Sequence, residues 1–382
     1  MKRVIGVVTS ARSDYGILRS LITELAQDNS ITLRLFVTGS HLEKRYGNTW
    51  KVVEKEFGRV VEKVNISSKK SSLLGASSVL GRGSIEFGKV FERARPDILV
   101  MVGDRFEILG IAAAAVIYGI PIAHLHGGER TDGAVDEFIR HAITKLSTFH
   151  FTTTKVYKER VLQMGEDPKR VWHVGAPGLD QIRQIKFISK SKLSKDLKID
   201  LSKTTAICTF HPETRSGKPP SCRDMISAID ASGIQCIFSA PNADPGNELI
   251  AKEIEEAVKK NKKFVLVKNL GTESYLSVIK HTKLMIGNSS SGLIEAPSLG
   301  AAVINIGNRQ AGRVRSKHVI DVPLNKKEIL KAIKKAVSTK FRDSLKKERN
   351  PYDLRRNAGR RIKNILKTVS LSQKKPFVDL NL

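Results

Sequence analysis

The feature that most constrains this chain is a recurring unit: a short, uniformly apolar run, then a polar loop and a helix-length stretch. The runs lie at residues 3–10, 31–38, 97–102, 122–126, 204–210, 234–239, 263–267, 284–286 and 302–306. Strands that are apolar throughout, rather than alternating, belong in parallel sheets covered by helices on both faces. The first run is expected to feed a helix from residue 16 to about 28. The rhythm breaks over 175–203, a polar, lysine-rich stretch read as the passage between two halves. Residues 326–367 read as a basic helical segment. The expected architecture is α/β, with two Rossmann-like domains facing across a cleft. The expected divisions are 1–178, 179–355, and a C-terminal helix and tail over 356–382 that packs back toward the first domain. Ligands of doubly wound sheets bind beyond the carboxyl ends of the strands, so the loops there carry the functional search.

Composition narrows the classes. The 382 residues suit two or three domains. No uninterrupted apolar run of about 18 residues occurs, so no membrane span is expected. Residues 4–8 are too short for a signal-peptide core, and the three cysteines, Cys208, Cys222 and Cys236, form no disulfide framework or paired metal-ligand spacing. A reduced, cytoplasmic protein is expected. The formal net charge is +28, and residues 311–382 carry +15 of it. Such a tail could address a polyanion, but aromatics are not interleaved with the basic runs and no nucleic-acid motif is present. Specific nucleic-acid binding is not expected.

After the first run comes Thr9-Ser10-Ala11-Arg12, with no dinucleotide fingerprint. Arg12 sits where a guanidinium and helix N–H groups can grip a phosphate; a surface or capping Arg is the plainer reading. Gly103-Asp104-Arg105 follows the third run, placing Asp104 either toward a ligand or at a helix N-cap. His124 to His141 packs Glu129, Asp132, Asp136, Glu137 and the imidazoles of His124, His126 and His141 into a short stretch, dense enough to suggest proton transfer. A divalent metal would suit some of the same residues; no matching downstream ligand pair is present, and no metal is expected. His211, in His-Pro-Glu-Thr, follows another run and suits a hydrogen-bond donor to a phosphate, or an acid. The turn at Pro241-Asn242 follows the next. Gly287-Asn288-Ser289-Ser290-Ser291-Gly292 presents hydroxyls and N–H groups where a helix begins, with Glu295 about one turn further on. It is no Walker loop. Arg309 stands at the last strand end.

These motifs, in this order, resemble the hydrolysing UDP-N-acetylglucosamine 2-epimerases of sialic acid synthesis, over nearly the whole chain. They are TSARSDYG (9–16), VTGSHLEKRYGNT (37–49), GDRFE (103–107), HLHGGE (124–129), DEFIRHAITKLS (136–147), HPET (211–214), GNSSSGLIEAPSLG (287–300) and NIGNRQAGR (305–313). The resemblance implies a two-Rossmann, glycosyltransferase-B type fold. It also implies a two-step reaction: loss of H-2 with departure of UDP to give 2-acetamidoglucal, then addition of water to give N-acetylmannosamine. No cofactor is implied. Asp104 and Asp136 match catalytic acids, and His211 the phosphate-contacting histidine. Arg105 matches a group stabilising charge on the leaving diphosphate. Ser289 and Ser290 match diphosphate-binding serines, Glu295 a ribose-contacting glutamate, Arg12 and Arg309 phosphate-side arginines, and Asn242 a nucleotide-pocket residue. Where some members have a catalytic Glu, this chain has His126, so either His126 or Glu129 takes the proton-transfer role. Related enzymes act on nucleotide-linked N,N'-diacetylbacillosamine for legionaminic acid. A non-hydrolysing epimerase or a glycosyltransferase of the same fold would share much of this pattern, and the HGGE and HPET motifs favour the hydrolysing branch. A homo-oligomer, dimer or tetramer, is expected by the same resemblance.

Overall fold

The structure, a computed structural model, describes residues 2–68, 72–132, 135–213, 220–241, 246–268, 270–372 and 374–379. The chain divides into two compact units. Unit 1 comprises Met1–Glu129, Val135–Gln181 and Leu354–Leu382; unit 2 comprises Arg130–Ala134 and Ile182–Asp353.

Unit 1 holds β1 (Arg3–Thr9), β2 (Ile31–Val37), β3 (Val61–Lys63), β4 (Ile98–Val102), β5 (Ile122–Leu125), β6 (Phe149–Thr152) and β7 (Val171–His173). They form one sheet in the order β3-β2-β1-β4-β5-β6-β7. Unit 2 holds β8 (Thr205–Thr209), β9 (Gln235–Ser239), β10 (Phe264–Val267), β11 (Leu284–Gly287), β12 (Ala302–Ile306) and β13 (Val319–Val322), in the order β10-β9-β8-β11-β12-β13. Every neighbouring pair is parallel. In both sheets the order turns back at the first strand of the unit, so β1/β4 and β8/β11 flank the two switch points. This is the α/β class that the apolar runs imply.

Successive residues on a strand face opposite sides. Thus Ile98, Val100 and Val102 of β4 enter one apolar layer of unit 1, and Leu99 and Met101 the other. Unit 2 is likewise covered on both faces, Cys208 and Ile207 of β8 lying in different layers. Gly287 ends β11 at φ +137, where an added Cβ would sit 2.0 Å from the Thr209 carbonyl, so only glycine lets β11 approach β8 this closely. Cys208, Cys222 and Cys236 are buried free thiols.

The C-terminal helix Ala358–Thr368 packs on Arg12–Ala26 within unit 1, burying Ile362 and Leu366. Asp180 fixes its start, accepting from Ala358 N at 3.1 Å, Gly359 N at 2.9 Å and Ser20 Oγ at 2.9 Å.

Several sequence expectations need correction. The first helix begins at Arg12 rather than at residue 16. The 175–203 passage, which holds the unit boundary at Gln181/Ile182, contains helices Gly178–Gln184 and Lys190–Leu197, the second pinned by buried Leu193. The basic 326–367 segment is broken into Lys326–Val337, Thr339–Leu345 and Ala358–Thr368, with no helix across Glu348–Asn357. Strands β3, β6, β7 and β13 were not expected.

Candidate functional site

In unit 1 the candidate residues gather beyond β1, β4 and β5. Asp104 does not cap the helix after β4; Arg105 occupies that N-cap position, and the Asp104 carboxylate turns instead to Arg140. Arg140 lies on the helix Asp136–Leu146 and is fully buried. Its guanidinium donates to Asp104 Oδ2, to Glu137 Oε2 at 2.9 Å and to the Glu129 carbonyl at 2.9 Å. One guanidinium thus fixes two carboxylates and a loop carbonyl, which its planar fork of donors suits. Asp136 opens the same helix, half-buried, and Glu137 also meets His141 Nε2 at 3.0 Å.

The loop after β5 is held from several sides. His124, on β5, meets the Gly103 carbonyl through Nε2 at 2.8 Å and Thr144 Oγ1 through Nδ1 at 3.3 Å. Burial drives its pKa down to about 3, so it is a neutral strut that ties β5 to the Asp104 loop. His126 sits at φ +66, a left-handed conformation uncommon for a non-glycine residue. Its Nδ1 lies 2.8 Å from Glu129 Oε1, which also accepts from Thr153 Oγ1 at 3.1 Å. Both residues are buried. Arg105 pairs with buried Glu107 at 2.6 Å. Arg12 is the exposed first residue of its helix.

In unit 2 two loops are clamped across the switch point. His211 N donates to Asn288 Oδ1 at 2.7 Å, and Asn288 Nδ2 donates back to the His211 carbonyl at 2.8 Å. The Asn288 carbonyl accepts Arg309 Nη1 at 3.3 Å and Gln310 Nε2 at 2.9 Å. Glu213 Oε1 accepts the backbone N–H groups of Asn308 at 2.8 Å and Arg309 at 3.3 Å. His211, Ser289 and Arg309 are thereby held about one buried asparagine. Ser289 and Ser291 hydroxyls are 3.2 Å apart, and Ser291 meets Tyr275 OH at 2.5 Å. The helix beyond them is a single turn, Ser291–Ile294, with Ser290 as N-cap and Glu295 as C-cap. Glu295 stands about one turn beyond Ser291, at this helix's end and half-buried. Asn242 lies outside the described residues.

Arg140, Asn288 and Glu213 are the organising side chains that a search for individual motifs passes over. Arg140 had a signal: the Asp136-Glu137-x-x-Arg140-His141 spacing puts acids and bases on one helix face. Asn288 and Glu213 had none beyond their place in the motifs. Among the described residues no group of three or more His, Cys, Asp or Glu could hold a metal ion, and no helix is long and apolar enough to cross a membrane.

A family model described as UDP-N-acetylglucosamine 2-epimerase matches residues 23–367. The chain is 38% identical, over 99% of its length and 97% of the relative's, to polysialic acid biosynthesis protein P7 of Escherichia coli. It is 37% identical, over 99% of its length and all of the relative's, to the hydrolysing GDP/UDP-N,N'-diacetylbacillosamine 2-epimerase of Campylobacter jejuni. In structure it is similar to the S. aureus MnaA-UDP co-structure, with a TM-score of 0.81 over 99% of this chain and 100% of the other at 19% identity, a likeness of fold.

Proposed function

This chain belongs to the UDP-N-acetylglucosamine 2-epimerase family, and from that premise we propose that it is a hydrolysing 2-epimerase that converts UDP-N-acetylglucosamine to free N-acetylmannosamine and UDP, for sialic acid synthesis. The observation that carries the reading is the Asp104–Arg140–Glu137 network beside the His126–Glu129 pair. It supplies oriented carboxylates and an imidazole, the groups a C2 proton exchange needs.

In the first step a base removes H-2, the C2–H electron pair becomes the C1=C2 bond, and the C1–O pair leaves with UDP. In the second, an acid delivers a proton to C2 on the opposite face, water adds its oxygen to C1, and the proton that water loses returns to the conjugate base of that acid. Asp104 and Asp136 take the places of the catalytic acidic residues, and the His126–Glu129 pair takes part in proton transfer. His211, Ser289, Ser290 and Arg309 receive the diphosphate, with Arg12 and Arg105 offsetting its developing charge. Glu295 and Asn242 contact the nucleoside. The enzyme needs no nicotinamide or metal and acts in the cytoplasm as a homo-oligomer.

A second reading, favoured by the 37% identical C. jejuni relative, gives the same reaction on nucleotide-linked N,N'-diacetylbacillosamine. Parallel incubations with each nucleotide sugar, without an acceptor, separate these. Free N-acetylmannosamine plus UDP from the first substrate is the expected result. Turnover of the second substrate alone transfers the assignment to it. A UDP-linked 2-epimer would point to the non-hydrolysing reaction, and no turnover at all to a transferase.

A further inference from the structure

Sequence leaves open whether His126 or Glu129 moves the proton, and their geometry divides the labour. We infer that His126 Nε2 is the base that takes H-2, and that Glu129 is a positioning residue that fixes the imidazole's tautomer and balances its charge. The inference rests on the 2-epimerase reading above.

A carboxylate can only accept hydrogen bonds. Glu129 Oε1 accepts from Thr153 Oγ1 and, at 2.8 Å, faces His126 Nδ1, so the ring's proton belongs on Nδ1. Nε2 then carries the lone pair. That nitrogen is buried and has no hydrogen-bond partner among the described residues. A buried polar atom left in this way calls for an explanation, a catalytic role or an ordered water among them, and at His126 Nε2 it coincides with the pairing of the ring's other nitrogen to Glu129. The backbone agrees: φ +66 at His126 is held against its intrinsic cost by the His126 N–H bond to the Phe151 carbonyl at 3.1 Å. Glu129 is itself fixed from behind, because Arg140 donates to its carbonyl at 2.9 Å. His124, a titratable neighbour of the pair, is neutral and already bonded to Gly103 and Thr144. Glu129 is completely buried, which suits a group that acts through the imidazole.

The step balances. Nε2 takes H-2, the C–H pair forms C1=C2, the C1–O pair departs with UDP, and the imidazolium is paired with the Glu129 carboxylate. The imidazolium later gives its proton to solvent, since C2 is inverted and its new hydrogen comes from the other face.

The test uses full-length enzyme. Nitrogen-15 NMR of histidine-labelled protein at neutral pH reads the tautomer, with His126 assigned from H126N; Asn tolerates positive φ, so that variant keeps the turn. The expected form is Nδ1–H with bare Nε2. Glu129→Gln can present either an acceptor or a donor to Nδ1. It is expected to lower kcat by about 100-fold or more with KM within about threefold. Glu129→Asp should recover part of that loss. The H126N/E129Q double variant should be no slower than H126N, because the pair acts as a unit. An Nε2–H tautomer in the wild type, an E129Q enzyme within about threefold of wild-type kcat, or a double variant slowed by the product of the two single losses would each overturn the assignment. Wild-type enzyme that releases no sugar is the separate failure of the function reading, seen before any variant is made, and it removes the base role with it.

Discussion

At the scale of single residues, two buried side chains do more than the acids they serve. Arg140 is fully buried against Asp104 and Glu137. Removing one partner of a buried ion pair leaves the other charge uncompensated, at a cost of about 3–5 kcal/mol. Arg140→Ala should therefore lower the denaturation midpoint strongly, whereas Asp104→Asn should abolish turnover with a smaller loss of stability. Equal destabilisation by the two substitutions would contradict the account. Asn288 is the counterpart in unit 2. Asn288→Ala leaves the His211 N–H without its side-chain acceptor, a loss of about 1–3 kcal/mol for a buried donor. It should also weaken UDP binding by about tenfold in a calorimetric titration; unchanged affinity would remove His211 and Ser289 from the diphosphate site. These organising residues were hard to read in advance because their partners are remote. Asp104 and Arg140 are 36 positions apart, and His211 and Asn288 are 77 apart. Composition marks such loops as chemical; only the fold shows which pairs meet.

At the scale of elements, the strands read most clearly are those buried on both faces. β1, β4, β8 and β11 announce themselves as apolar runs because their central positions are buried on both faces, polar residues such as Arg3, Thr9, Thr205 and Thr209 standing only at strand ends. The strands missed are of two kinds. β3, β7 and β13 are edge strands, short or only partly buried, so the two-sided signal fades. β6 is internal, but its sequence Phe149-His150-Phe151-Thr152 includes a histidine made acceptable by its bond to Glu166 at 2.9 Å. Burial keeps His150 below its ordinary pKa, against the pull of Glu166. β5 adds His124, lowered by burial from 6.5 to about 3. A histidine held below its unfolded pKa binds its proton more readily in the unfolded chain. Its stabilisation is thus complete above pH 6.5 and is lost as pH falls toward 3. Urea midpoints should decline across that window, and His124→Gln should flatten the decline. An unchanged slope in that variant would show that His124 does not link β5 to the Asp104 loop as a neutral strut.

At the scale of the whole molecule, the chain returns to unit 1 after building unit 2. Residues of Ala358–Thr368 complete an apolar layer that begins at β1, with Ile362 and Leu366 fully buried. Each such side chain contributes about 1.5–3 kcal/mol by burial. A chain ending at Asp353 should expose that layer and aggregate on size exclusion. Remaining monodisperse with an unchanged thermal midpoint would show that the segment is dispensable. The basic region from residue 311 onward holds much of the +28 charge, part of it on exposed helix positions such as those of Lys326–Val337. Adhesion to polyanions should accordingly disappear with salt. The central claim, though, is chemical, and one measurement meets it directly: incubation with UDP-N-acetylglucosamine in deuterium oxide, followed by NMR of the sugar. The account predicts free N-acetylmannosamine carrying solvent deuterium at C2, with UDP released in equal amount. A released sugar that retains its original C2 hydrogen, or a product still joined to UDP, would contradict it.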